Sequence, residues 1–198
     1  MNRIAPMNTR RAALQLALKS ALQGTAGAWL AWALIGVHAQ ATSPAEVAVD
    51  VPQPQAAGTT RLKFLGLSIY DARLWVAPGF QATNFAQYGF ALELTYLRSL
   101  KGNLIAERSL KEMRRAGNVP AVTEQRWLTA MQDAFPDVKE GDRITGIHLP
   151  KLGARFYFNG QLRATVNDLE FSQQFFGIWL SPTTSEPRLR TELLAGYA

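Results

Sequence analysis

The sequence predicts an α+β domain: an antiparallel β-sheet covered on one face by a layer of helices. Three observations carry this. Segments of two-residue apolar periodicity come in groups, and segments of helical periodicity also come in groups, which favours hairpin-linked strands over βαβ units. Asn159-Gly160 separates two strand-like runs, and that pair suits a two-residue hairpin, whose central residues both need positive φ. Each helical segment bears a single apolar stripe, so each has one face to bury.

The elements follow in order. Val47, Val49 and Val51 alternate with polar or small residues and read as an edge strand within a lead-in of residues 42–59, broken by Pro52-Gln53-Pro54 and Gly58. The domain proper spans 60–198. It opens with Arg61–Val76, either two strands or one long strand bent at Gly66. The second half puts Tyr70, Ala72, Leu74 and Val76 on one face and Ile69, Asp71, Arg73 and Trp75 on the other. Charge beside aromatic bulk on a half-buried strand is a pattern found at the wall of a cleft. Asp71 and Arg73, two apart on one face, are placed to pair with each other.

Phe90–Leu97 alternates as a further strand. The period then changes. Leu104, Ala106, Leu110 and Met113 mark a helix over roughly 103–116, closed by Gly117. Thr123 is the expected N-cap of a second helix, with Trp127, Leu128, Met131 and Phe135 as its stripe and Pro136 as its stop. Strands return at Arg143–Leu149, Ala154–Phe158 and Gln161–Val166. Asn167 or Asp168 caps a helix bearing Phe171, Phe175, Phe176 and Trp179, ended by Pro182. A last helix begins near Ser185, holds Pro187 in its first turn, and runs through Leu189, Leu193 and Leu194 to Gly196.

Residues 1–41 read as a secretory signal. Arg3, Arg10, Arg11 and Lys19 precede an apolar run from Ala26 to Val37, and Ala39-Gln40-Ala41 supplies a small-residue cleavage site. The run is shorter than the roughly 20 residues of a membrane span. Cleavage near Ala41 would deliver the domain to the periplasm or the medium, with no stable membrane span left in it. The segment carries four of the 21 basic residues and none of the 15 acidic ones, so 17 basic against 15 acidic residues leave the rest at +2. The basic balance is thus a targeting feature, and it does not point to nucleic acid. There is no cysteine, hence no disulfide and no thiol nucleophile.

Familiar catalytic sets find no support. Past residue 41 there is one histidine, His148, on a strand, where packing is the ordinary role. No His/Cys/carboxylate spacing suggests a metal site, no phosphate-cradling glycine loop is present, and no cofactor is expected. Arginine, tyrosine, lysine and apolar surface remain. Those suit an anion or carbonyl oxygen held in an apolar pocket.

Several stretches together resemble a known family: Tyr70-Asp71-Ala72-Arg73-Leu74-Trp75-Val76, Leu94-Thr95-Tyr96-Leu97, Ile105–Met113, and Phe175-Phe176-Gly177-Ile178-Trp179-Leu180 followed by Leu189-Arg190 and Leu193-Leu194. In order and spacing they are similar to the exported bacterial chalcone isomerase-like proteins, over about residues 47–196. The resemblance implies a large antiparallel sheet, a layer of helices on it, and a cleft between them. In the plant enzymes that cleft binds a flavonoid, and an early-strand arginine helps hold the ring-closing phenolate. Matched by position, that arginine falls on Arg61 and the next strand's threonine on Tyr70. The first helix's tyrosine falls near Ile105 and its asparagine near Glu112, and a later hydroxyl falls near Gln174. Ile105 cannot donate a hydrogen bond and Glu112 would repel an enolate, so chalcone cyclisation is not expected.

Other branches of the family are non-catalytic and bind fatty acids through the arginine. The expected function is therefore binding of a small amphipathic ligand such as a fatty acid, with Arg61 at the acid group, Tyr70 beside it, and Ile105, Glu112 and Gln174 around it. Two alternatives stand. One is an isomerase, an intramolecular lyase acting on a chalcone-like enone. The other is a protein–protein interaction domain whose cleft is closed by its own side chains.

Overall fold

The computed structural model describes residues 42–117 and 119–197. The expected secretory signal lies outside them. Six strands form one sheet in chain order, each antiparallel to the next: β1 (Gln55–Phe64), β2 (Leu67–Val76), β3 (Phe90–Tyr96), β4 (Arg143–Leu149), β5 (Gly153–Phe158) and β6 (Gln161–Val166). Helices α2 (Gly102–Met113) and α3 (Ala121–Ala134) are inserted between β3 and β4, while α4 (Leu169–Leu180) and α5 (Pro187–Leu193) follow β6. A short helix α1 (Ala45–Asp50) precedes β1.

The two faces of the sheet have different partners. Tyr70, Ala72, Leu74, Val76, Phe90, Leu92, Leu94 and Tyr96 point to one side and join the main core with residues of α2–α5. This is the α+β arrangement that the alternation predicts. The other face carries Trp75, Ala91 and Ile147, which pack on Val47 of α1 and on Val51 just after it.

The lead-in departs from expectation. Residues 45–50 form α1, not an edge strand. Val47 and Val51 are fully buried while Val49 is 76% exposed, so the valines separate at i, i+4 spacing and not by twos. Tertiary ion pairs override the β-branched preference of the run. Glu46 Oε1 accepts from Arg143 Nη2 at 2.7 Å and from the Thr145 hydroxyl at 3.1 Å, and Asp50 Oδ1 accepts from Arg155 Nη1 at 2.6 Å. Gly58 is also no breaker, because β1 already begins at Gln55 and continues through it. A Cβ there would collide with the Glu192 carbonyl of α5, so glycine allows the helix backbone to cross the strand closely.

The choice between one bent strand and two is settled by a hairpin. Leu65 and Gly66 both have positive φ, 49° and 78°, and they separate β1 from β2. Asn159-Gly160 turns β5 into β6 in the same way, with φ of 48° and 83°. Helix α3 starts at Ala121 with Pro120 at its N-cap, earlier than Thr123. At α4 the cap is Asp168, whose Oδ1 accepts the Phe171 amide at 2.9 Å.

Candidate functional site

Between the sheet and the helices lies a cavity of about 300 Å³, at the small end of the range typical of ligand sites. Its walls are mainly apolar: Leu62, Ile69, Leu94, Ile105, Phe135 and Ile178 all contribute. Strand alternation explains most of the sheet side; Ile69, expected on the face opposite Tyr70, also reaches the cavity because the β1–β2 register shift at Leu62/Lys63 leaves it out of the pairing. Leu62 pairs with Tyr70 and Tyr70 with Tyr96, so one register line carries three inward side chains. Helical spacing explains the other side, since Ile105, Arg108, Ser109 and Glu112 fall at i, i+3, i+4 and i+7 of α2 and all line the space.

The polar groups gather around Tyr70. Its hydroxyl accepts a bond from Trp179 Nε1 at 2.9 Å, and its ring meets Tyr96 edge-on at 6.0 Å between centroids. Burial pushes the Tyr70 phenol well above its usual range, and the Trp179 bond opposes this. The charges of Glu186, Arg108 and Glu112 also act on it. Tyr96 is pushed up too, by burial and by Tyr70. Both phenols stay protonated, so each hydroxyl keeps a proton that it could donate to a ligand. Glu112 is largely committed to protein partners, because its Oε1 pairs with Arg108 Nη2 at 2.8 Å and its Oε2 accepts from the Ser185 hydroxyl at 2.7 Å. The cavity thus offers two neutral phenols and one partly exposed guanidinium in a mainly apolar lining, which also includes Ser109, Ser185 and the carboxylates Glu112 and Glu186, an arrangement that can orient a polar head while enclosing a hydrocarbon.

Of the residues expected from the sequence, Tyr70, Ile105 and Glu112 come together on this cavity. Arg61 does not. Its register partner is Asp71, on the opposite sheet face from Tyr70. There its Nε and Nη2 donate to the two Asp71 carboxylate oxygens at 2.5 and 2.8 Å. Adjacent strand residues face opposite ways, so Leu62 takes the inward position that the sequence comparison gave to the arginine. The expected Asp71–Arg73 pair is replaced accordingly: Asp71 reaches across to β1, and the Arg73 guanidinium lies 5.5 Å from the Trp75 ring centroid.

Gln174 also lies off the cavity. It borders a small recess with Gly177, Ser181 and Thr183, and its Oε1 is buried without a hydrogen-bond partner among the described residues. Arg108, Tyr96 and Ser185 are site residues that sequence reasoning missed. The signal for Arg108 was within reach, since it sits three after Ile105 and four before Glu112 on one helical face.

His148 is a packed residue. It stacks on Phe90 at 5.0 Å, its Nε2 donates to the Ala86 carbonyl at 2.9 Å, and its Nδ1 lies 2.7 Å from the Ser172 hydroxyl. Burial holds its pKa below the ordinary histidine value, against the opposing effect of the Ala86 carbonyl. Among the described residues, no cluster of three or more His, Cys, Asp or Glu side chains is placed to hold a metal, and no helix is long and apolar enough to cross a membrane.

Comparisons with known proteins agree with this architecture. An uncharacterized protein of Haemophilus influenzae is 33% identical over 103 residues, which is 52% of this chain and 50% of that protein. The chain therefore matches about half the length of this curated relative. Among solved structures, a fatty-acid binding protein of Arabidopsis thaliana superposes with a TM-score of 0.56 at 11% identity, over 72% of this chain and 87% of the plant protein. At that identity the likeness concerns the fold. The family model described as chalcone isomerase-like matches residues 55–195, from the first residue of β1 to just past α5. The six-stranded sheet, the helix layer and the cavity between them are thus those of a member of the chalcone isomerase-like family, to which this chain belongs.

Proposed function

We propose that this chain is a non-catalytic binding protein for a small amphipathic molecule with one hydrocarbon portion, such as a fatty acid. The observation that carries this is the cavity itself, apolar through most of its lining with its polar groups clustered around Tyr70. The hydrocarbon would lie among Leu62, Ile69, Leu94, Ile105 and Ile178. The head would take hydrogen bonds from Tyr70 and Tyr96 and meet Arg108. A phenol held neutral by burial, and a carboxylate already paired with Arg108 and Ser185, are suited to positioning a ligand and poorly suited to removing its proton. The fold it shares with a plant protein named for binding fatty acids supports the same reading.

Native mass spectrometry of the purified chain, with titration of a fluorescent fatty-acid analogue, tests the proposal. Ile105→Trp should fill the cavity and abolish probe binding while the chain stays folded. Arg108→Ala should weaken it about tenfold, the loss expected for one charge-assisted hydrogen bond. Arg61→Ala should leave it unchanged. If the parent binds no probe and carries no lipid, or if Ile105→Trp binds as well as the parent, the proposal fails.

We further propose that the chain is exported, with residues 1–41 as a signal cleaved near Ala41. The basic start, the apolar run from Ala26 to Val37 and the Ala39-Gln40-Ala41 site support it. Intact mass of the chain recovered from the periplasm of a bacterial host should correspond to a start at Thr42. Recovery only as the full chain in the cytoplasm would oppose it.

A further inference from the structure

The turn between β1 and β2 breaks a rule that the turn between β5 and β6 keeps. Both are two-residue hairpins with positive φ at both central positions. At the second, Asn159-Gly160 supplies residues that tolerate this conformation. At the first, Leu65 stands at φ 49° and is 86% exposed. A leucine there is both conformationally unfavourable and unburied, so nothing in the fold explains it.

Its neighbours are apolar as well. Phe64 and Leu67, flanking the turn, are each 54% exposed, and Leu104 on α2 is 55% exposed. Phe64 and Leu104 also line the cavity, so the patch forms part of its rim. Among the described residues, the five other exposed large apolar ones, Val49, Val122, Leu152, Leu162 and Leu169, lie on separate elements or turns.

Around this tip the charge is mostly positive. Lys63 is exposed one residue before Phe64. The Arg108 guanidinium lies 5.9 Å from the Phe64 ring centroid. Helical spacing continues the Leu104 stripe through Arg108, Lys111 and Arg115, at i+4, i+7 and i+11. The acids on this flank are Glu107, which is exposed, and Glu112, whose side chain is only 10% exposed and already paired with Arg108. Lys101 is balanced by Asp137 at 2.6 Å.

We propose that the β1–β2 tip, with Leu104, docks on an anionic lipid bilayer, where Phe64, Leu65 and Leu67 insert at the headgroup boundary and Lys63, Arg108 and Lys111 meet the lipid phosphates. Apolar side chains backed by basic ones are the combination that binds such an interface. Because the patch rims the cavity, docking would open the cavity towards the membrane. That last step alone rests on the binding function proposed above; the docking surface stands on the patch itself.

The test is sedimentation of the full chain with vesicles of phosphatidylcholine plus phosphatidylglycerol, compared with phosphatidylcholine alone. Leu65→Asn is the decisive variant, since asparagine already serves the matching turn and the change should not impair folding. Leu65 does not line the cavity, so binding of the fluorescent fatty-acid analogue in lipid-free solution should be unaffected. Sedimentation with anionic vesicles should weaken about tenfold or more, the scale of losing one buried leucine side chain. It should also fall with added salt. Using the same full chain for parent and variant cancels any contribution of residues 1–41.

No sedimentation by the parent, equal sedimentation by Leu65→Asn, or no preference for anionic vesicles overturns the proposal. So does a parent dimer in solution that Leu65→Asn converts to monomer, which would make the patch a self-association surface. A chain that sediments through Leu65 but binds no probe keeps the docking site and refutes the binding function. A chain that binds the probe but ignores vesicles does the reverse.

Discussion

His148 shows how burial turns an ordinary side chain into a pH-sensitive part of the core. In the unfolded chain its imidazole takes a proton near pH 6.5. In the folded chain burial delays that step to lower pH. The unfolded state then binds more protons, so stability falls as pH drops below about 6.5. The carboxylates held below their usual range, Asp71 by Arg61 and Asp142 by Asn159 and the Lys139 amide, lose their contribution only at lower pH, when they are protonated. Thermal denaturation should therefore show a decline in Tm between pH 7 and 5 that His148→Gln flattens, followed by an acid-induced fall that both proteins share. An unchanged slope in His148→Gln would place the pH dependence elsewhere. At the same scale, Arg61 and Leu62 show what one residue of strand position means: the arginine is spent on Asp71 at the outer surface, and leucine occupies the cavity wall.

At the scale of elements, Asp168 ties two of them together, α3 and α4. One carboxylate oxygen caps α4, while the other accepts from Trp127 Nε1 at 2.9 Å and from Arg126 at 3.0 Å, both on α3. Burial works against its ionisation, but the Phe171 amide, the Trp127 indole and the Arg126 charge together hold its pKa below the ordinary value. Asp168→Ala removes a cap worth about 1 kcal/mol and leaves the buried Trp127 indole without its acceptor, about 1–3 kcal/mol more. Tm should fall by roughly 5–15 °C. Asp168→Asn, which keeps a capping oxygen, should fall by less. A drop of equal size in both would show that charge, not capping, is the main contribution. The cap was legible because a polar residue directly before an aromatic helical stripe has few other uses. The helix at Ala45–Asp50 was not legible, because its conformation is fixed by Arg143 and Arg155, about a hundred positions away in sequence.

For the whole molecule, ligand binding and folding should be coupled. A ligand that enters only the folded cavity stabilises it by about 2.7 kcal/mol at a hundredfold excess over Kd. For a chain of this size that is a Tm rise of roughly 5–10 °C. Differential scanning fluorimetry with fatty acids of increasing chain length should show the rise reach a maximum and then shrink when the chain outgrows the 300 Å³ cavity. No rise at any length would argue that the cavity is not a ligand site.

The sequence by itself determined the order of strands and helices from β2 onward, the two-faced strand from Tyr70 to Val76, the Asn159-Gly160 turn and the aromatic face of α4. These are local matters of periodicity and turn chemistry, written in neighbouring residues. It also placed Tyr70, Ile105 and Glu112 in one neighbourhood through family resemblance. Only the tertiary structure decided which side of the sheet receives the helices, that Arg61 faces away from them, and that Arg108 and Tyr96 join Tyr70 at the cavity. A shift of one residue in strand alignment moves a side chain from one face to the other. No local pattern in Arg61–Phe64 records which face will be covered, because that depends on where α2, α4 and α5 pack.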